Sequence, residues 1–124
     1  LVVDPGLYPV RAEKNGDVCL RTCGETDVII NGTIKLVPND YTNYYILQAE
    51  GTNISVSGNG SIIGDKTAHT GNKGEWGMGI NVVRGHNVVI SGITIKDCWG
   101  DCIYIGSRST GIIIKKCNLF LCLL

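Results

Sequence analysis

Short runs of β-branched residues recur along the chain. Each is opened by a turn residue and interrupted by a small or polar one. "DVIINGTIKL" starts at Asp27, "NISVSGNGSIIG" at Asn53, "NVVISGITIKDC" at Asn87 and "GIIIKKCNLFLC" at Gly111, so successive starts lie 26, 34 and 24 residues apart. A second register runs between them. "EWGMGINV" (75–82) matches "CWGDCIYI" (98–105) at an offset of 23, which puts Trp76 on Trp99, Gly77 on Gly100, Ile80 on Ile103 and Val82 on Ile105. "YYILQAEGTN" (44–53) aligns with "MGINVVRGHN" (78–87) at an offset of 34, with Gly51 on Gly85 and Asn53 on Asn87. The runs alternate with a period of two, and no segment carries a 3.6-residue apolar stripe, so the elements are short strands. Strands repeating at a short, nearly fixed interval predict an all-β solenoid, about four coils of ~24 residues in a single domain over 1–124. The 34-residue interval is then a 24-residue coil with ten extra residues, and the polar stretch "DKTAHTGNKG" (65–74) predicts a loop extruded from it.

Composition agrees with strands and tight turns: 17 of 124 residues are glycine, and the formal net charge is zero. With no basic run there is no electrostatic footprint for nucleic acid. No apolar run reaches the ~18 residues of a membrane span, and no basic-then-apolar leader opens the chain. Met78 is the only methionine, so the chain is expected to be processed or a fragment. The apolar ending "CNLFLCLL" has no polar cap, which favours truncation at the C-terminus over packing on a partner.

These coils resemble the right-handed parallel β-helix proteins of the pectin lyase-like superfamily. "NVVISGITIKDCWGDCIYIG" looks like a typical coil, and "VDPGLYPV" resembles the opening segment of such domains. The resemblance implies a carbohydrate-directed protein, a polysaccharide hydrolase or lyase acting on an acidic polysaccharide. The alternative it implies is a non-catalytic scaffold or binding domain of a phage tailspike or surface adhesin, trimeric if tailspike-like. It also implies an extracellular, cell-surface or virion location. A fold shared by so many activities does not choose between them.

The candidate chemistry is sparse. "GDCI" (100–103) matches three of the four positions of the Asp-Asp-Cys-Ile/Val segment of polygalacturonase-like hydrolases, with Gly100 where that family has its first Asp. Asp101 is therefore the leading acid or base, with Glu75 and His69 as further contributors; a turn-capping Asp101 is the plainer alternative. Lys66 and Lys73 could neutralise a uronic carboxylate from the wall formed by the 65–74 loop. Trp76 and Trp99, in one repeat position, predict a stacked pair, either core or a sugar platform with Asp97 beside it. His86, in register with Thr52 and Thr110, reads as an exposed corner. Ca²⁺, which the superfamily's lyases hold with carboxylate clusters, has weak support here, and no cofactor is expected. The six cysteines are expected to be mainly structural thiols, ahead of disulfides and of metal ligands. Cys98 should stack on Cys122, and Cys117 should take the place of Ile93.

Overall fold

A computed structural model describes residues 1–122; Leu123 and Leu124, the last two of the apolar terminal run, lie outside the described residues. In chain order the strands are β1 (Val2–Val3), β2 (Leu7–Val10), β3 (Val18–Thr22), β4 (Thr26–Ile30), β5 (Thr33–Leu36), β6 (Asn43–Ser57), β7 (Ser61–Ile63), β8 (Trp76–Ser91), β9 (Thr94–Lys96), β10 (Ile103–Ile105), β11 (Thr110–Lys115) and β12 (Asn118–Phe120). The fold is all-β and its strand pairs are parallel. Strands β1, β4, β6, β8 and β10 follow one another in a first sheet, with β3 on β6 and β11 on β8; the second sheet runs β12-β9-β7-β5-β2.

Like side chains stand above one another because each strand pairs with its counterpart in the next repeat. Val28 lies beside Val56, Val56 beside Ile90 and Ile90 beside Ile114. In the second sheet Ile34, Ile62, Ile95 and Leu119 form a matching column. Ile30, Ile46, Val56, Ile62, Val82, Ile90, Ile93 and Ile95 are wholly buried between the sheets. Each such side chain contributes about 1.5–3 kcal/mol by leaving water.

The expected ~24-residue interval holds only from β8 onward, where Val88 faces Ile112 and Thr94 faces Asn118. Earlier intervals are longer: Leu7 faces Thr33, 26 residues on, and Thr26 faces Ile54, 28 on. The irregular segments 11–17 and 37–42 take up the difference. The alignment of 44–53 with 78–87 is correct from Gly51 and Gly85 onward but one residue off before them, where Leu47 faces Ile80. A bulge explains the slip. Arg84 is inserted between Val83 and Gly85 with φ 45°, and so has no partner in β6.

The turn that opens each repeat is left-handed. Glu25, Asn53, Asn87 and Gly111 occupy it with φ of 57°, 59°, 61° and 67°. Asn tolerates this region better than other side-chain-bearing residues. Here it also forms a ladder: Asn87 Nδ2 donates to Asn53 Oδ1 (2.7 Å), and Asn53 Nδ2 donates to Glu25 Oε1 (3.0 Å). His86 sits at the expected exposed corner, in register with Thr52 and Thr110, its Nδ1 2.7 Å from Thr110 Oγ1.

Candidate functional site

The stretch 65–74 does not stand away from the body as expected. It folds down between the segments before β6 and after β9, because its first residues carry hydrogen-bonding groups the interior can satisfy. Asp65 is buried at 3% exposure. Its carboxylate accepts from Tyr44 Oη (2.7 Å) and from the Asn39 N–H (3.0 Å), and lies 2.8 Å from His69 Nδ1. The main chain docks as well, through Lys66 N–H to Asp97 O and Thr70 N–H to Asn39 O. A polar, glycine-containing stretch reads as solvated loop, yet a buried carboxylate with three partners anchors it.

His69 is therefore not presented to an open groove. Its side chain is fully enclosed and stacks on Trp99 with ring centroids 4.2 Å apart. Trp99 donates through Nε1 to Gly74 O and through its main-chain N–H to Tyr44 Oη. The predicted stack of Trp76 on Trp99 is absent for the same reason. Gly77 and Gly100 do meet, through Gly100 N–H to Gly77 O, but the two indoles part company. Trp99 turns to His69, whereas Trp76 is 54% exposed and packs edge-on to Tyr104.

Of the remaining candidates, Asp97 and Asp101 are half-buried, and the hydrogen bonds recorded at them run through main-chain carbonyls, to Lys66 N–H and Gly79 N–H. The turn-capping carboxylate expected as the plain alternative for Asp101 makes no such bond among the described residues. Glu75 and Lys73 are exposed, and Lys66 is half-buried. His69, enclosed and bound to Asp65, does not share an open face with Glu75 or Asp101. Among the described residues no three of His, Cys, Asp or Glu converge as metal ligands.

The cysteines also depart from the predicted ladder. Cys122 is bonded to Cys102, not stacked on Cys98, with Cα atoms 5.5 Å apart. Closing a loop of this length stabilises the fold by about 3 kcal/mol in the chain-entropy description. Cys98 remains a free, wholly buried thiol. Burial, then the charges of Asp65 and Asp97, push it up to about 12, so it is inert as a nucleophile at ordinary pH. Cys19 is pushed to about 11 by burial and by Asp17 and Glu13. Cys117 occupies the register position above Ile93 as expected, its thiol near Ile90 O.

A concave site forms elsewhere, on the outer side of the first sheet. A cavity of about 510 Å³ lies over β6, β8 and β10, walled by Tyr45, Trp76 and Tyr104 and flanked by Arg84 and Arg108. Strand alternation supplies Asn81 and Tyr104, whereas Tyr45 and Trp76, an even number of residues from the inward Leu47 and Ile80, reach the cavity because the alternation breaks at the consecutive buried pair Ile46 and Leu47. While Leu47, Ile80 and Ile103 point inward, the row Arg21, Gln48, Asn81 and Tyr104 lies on the opposite side. Gln48 and Asn81 are nonetheless buried, and each needs a partner: Asn81 Nδ2 donates to Gln48 Oε1 (3.3 Å), and Gln48 Nε2 donates to Glu50 Oε1 (3.4 Å). Glu50 Oε2 is ion-paired with Arg84. Of this site, sequence reasoning found only Trp76. The signal for the rest was the 24-residue offset from "RGH" (84–86) to "RST" (108–110), which sets Arg84 and Arg108 at equivalent corners, with Gly85 N–H donating to Ser109 Oγ (3.1 Å).

No family model matches the chain, and no solved structure matches it at a significant level. Two curated proteins of Bacillus subtilis (strain 168) are similar to it. The uncharacterized protein YclG is 31% identical over 143 aligned residues, covering 92% of this chain and 24% of that protein. The SPbeta prophage-derived uncharacterized protein YorA is 36% identical over 104 residues, covering 66% of this chain and 17% of that protein. The chain thus spans a quarter or less of the length of these relatives.

Proposed function

We propose that this chain is a section of a right-handed parallel β-helix of the pectin lyase-like kind, and that its outer sheet face binds an acidic polysaccharide without cleaving it. Two observations support the winding: the chain passes repeatedly from the first sheet to the second, with β3 and β4 together on β6 and β10 and β11 together on β8, and each of these rows pairs in parallel with its counterpart one repeat later. The observation that carries the functional reading is the composition of the 510 Å³ cavity: three aromatic side chains, two arginines and, among the described lining residues, no carboxylate. Aromatic faces suit the C–H face of a sugar ring, and guanidinium groups suit its carboxylates. Glycosidic cleavage uses two carboxyl groups ~5–9.5 Å apart across the bond. None of the described lining residues carries one, the Glu50 carboxylate at the cavity edge is ion-paired with Arg84, and His69 is enclosed.

A binding scaffold of a tailspike or surface adhesin fits these features. It also fits the prophage origin of the similar protein YorA and an oxidising location for the Cys102–Cys122 disulfide. The second reading, a hydrolase or lyase, rests on exposed Glu75 beside Trp76 in the chain, with Asp101 as its partner. The two part in one experiment. Electrophoresis through gels containing acidic or neutral polysaccharide, run alongside assays for reducing ends and unsaturated products, is expected to show retardation by the acidic polymer and no products. Products that disappear in Asp101→Asn would establish the hydrolase or lyase instead.

A further inference from the structure

We propose that Glu50 is a built-in competitor for the anionic group of the ligand: it holds Arg84 in the empty site and yields it on binding, while Arg108 makes the first contact. The inference rests on the reading of this cavity as a saccharide site and names what sets its selectivity.

Arg84 and Arg108 both line the cavity, each two residues before the corner at which His86 and Thr110 pair between successive repeats. Both have left-handed backbone, φ 45° and 64°. Arg84 is the extra residue of the β8 bulge, and a bulge re-aims the side chain it carries. The two guanidiniums differ in one respect. Arg84 is paired with Glu50, whereas no carboxylate pairs with Arg108 among the described residues. Glu50 is itself positioned, since its other oxygen accepts from Gln48, which in turn accepts from the Asn81 amide that lines the cavity. The cavity edge thus holds two cations and one anion. A ligand carboxylate meeting Arg108 can take the place of the Glu50 carboxylate on Arg84 in a like-for-like exchange. The Arg84 and Glu50 side chains are 58% and 36% exposed, and exposed ion pairs hold their partners weakly, so the exchange is easy. A neutral sugar offers no anion to replace Glu50 and leaves the pair intact.

The test is calorimetric titration of the wild type, E50Q and R108Q with a hexameric galacturonate oligosaccharide and with its neutral galactose counterpart. Glu50 and Arg108 lie at the surface, and equal melting temperatures would show the fold unchanged. E50Q is expected to bind the acidic hexamer about two- to fivefold more tightly, the scale of an exposed ion pair, with the neutral hexamer unaffected. R108Q is expected to bind the acidic hexamer about tenfold more weakly. If E50Q binds the acid no better, or worse, Glu50 only positions Arg84 and the proposal falls. If the wild type binds both sugars equally, the saccharide reading stands and the anion exchange does not. If it binds neither, the saccharide reading fails and takes the inference with it.

Discussion

Asp65→Ala is expected to cost about 3 kcal/mol or more of stability, because it leaves several buried polar groups without a partner at about 1–3 kcal/mol each. The carboxylate satisfies Tyr44 Oη, Asn39 N–H and His69 Nδ1 in a region closed to water. Truncation strands all three, and a buried polar group without a partner costs far more than the bond it lost. The consequences extend along the loop, because Tyr44 Oη also accepts the Trp99 N–H, and His69 supports the Trp99 ring. Burial, then the adjacent Asp65 charge, holds the Tyr44 phenol well above its ordinary range, so it stays a proton donor to Asp65. Thermal unfolding followed by circular dichroism should show a fall of more than about 10 °C in Tm for Asp65→Ala. Tyr44→Phe keeps the ring and should lose only about 1–2 kcal/mol. A shift of less than 1 kcal/mol for Asp65→Ala would mean that the loop is held by its backbone alone.

Gly58→Ala should destabilise by about 4 kcal/mol, combining backbone strain with overpacking. Gly58 has φ 121°, and a Cβ there would lie 2.1 Å from the carbonyl oxygen of Ile30 in the neighbouring repeat. That oxygen cannot retreat without breaking the bond it accepts from Gly60 N–H. Gly92, the equivalent residue one repeat on, is the internal control. Its φ is 80°, and its Cβ would stop 2.8 Å from Gly58 O, so Gly92→Ala should cost roughly half as much. Denaturant midpoints for the two variants check the order. Equal costs would contradict the account of close approach between repeats at Gly58.

The repeat was legible because burial imposes it. Ile80 on Ile103, Asn53 on Asn87 and Gly111 on Asn87 are set by core columns and left-handed turns, and each constrains residue type. The bulge at Arg84 was hidden, because one inserted residue in a 34-residue interval leaves the apolar pattern of each half intact. The sequence pattern suggests a thiol ladder of Cys98 on Cys122 in place of the Cys102–Cys122 disulfide for a geometric reason. Cys98 and Cys102 are both buried, and what selects Cys102 is a 5.5 Å Cα separation that spacing along the chain does not report. His69 and Asp65 read as solvated because their partners, Tyr44 and Trp99, come from distant parts of the chain. The cavity was the least legible feature. Its residues lie on the outer side of the sheet, where no apolar period marks them, and Trp76 alone stood out by type.

The central claim is that Trp76 and its neighbours form the saccharide platform, and Trp76→Ala tests it most directly. Trp76 is largely exposed and packs only at its edge on Tyr104, so the fold should survive its loss with Tm nearly unchanged. A central aromatic anchor is worth 2 kcal/mol or more at a binding site, which is about thirtyfold in affinity. Titration of acidic oligosaccharide into the wild type and Trp76→Ala should therefore show binding by the first and a loss of about thirtyfold in the second. Equal affinity of the two proteins, with the wild type binding, would place the saccharide elsewhere on the molecule and contradict the account.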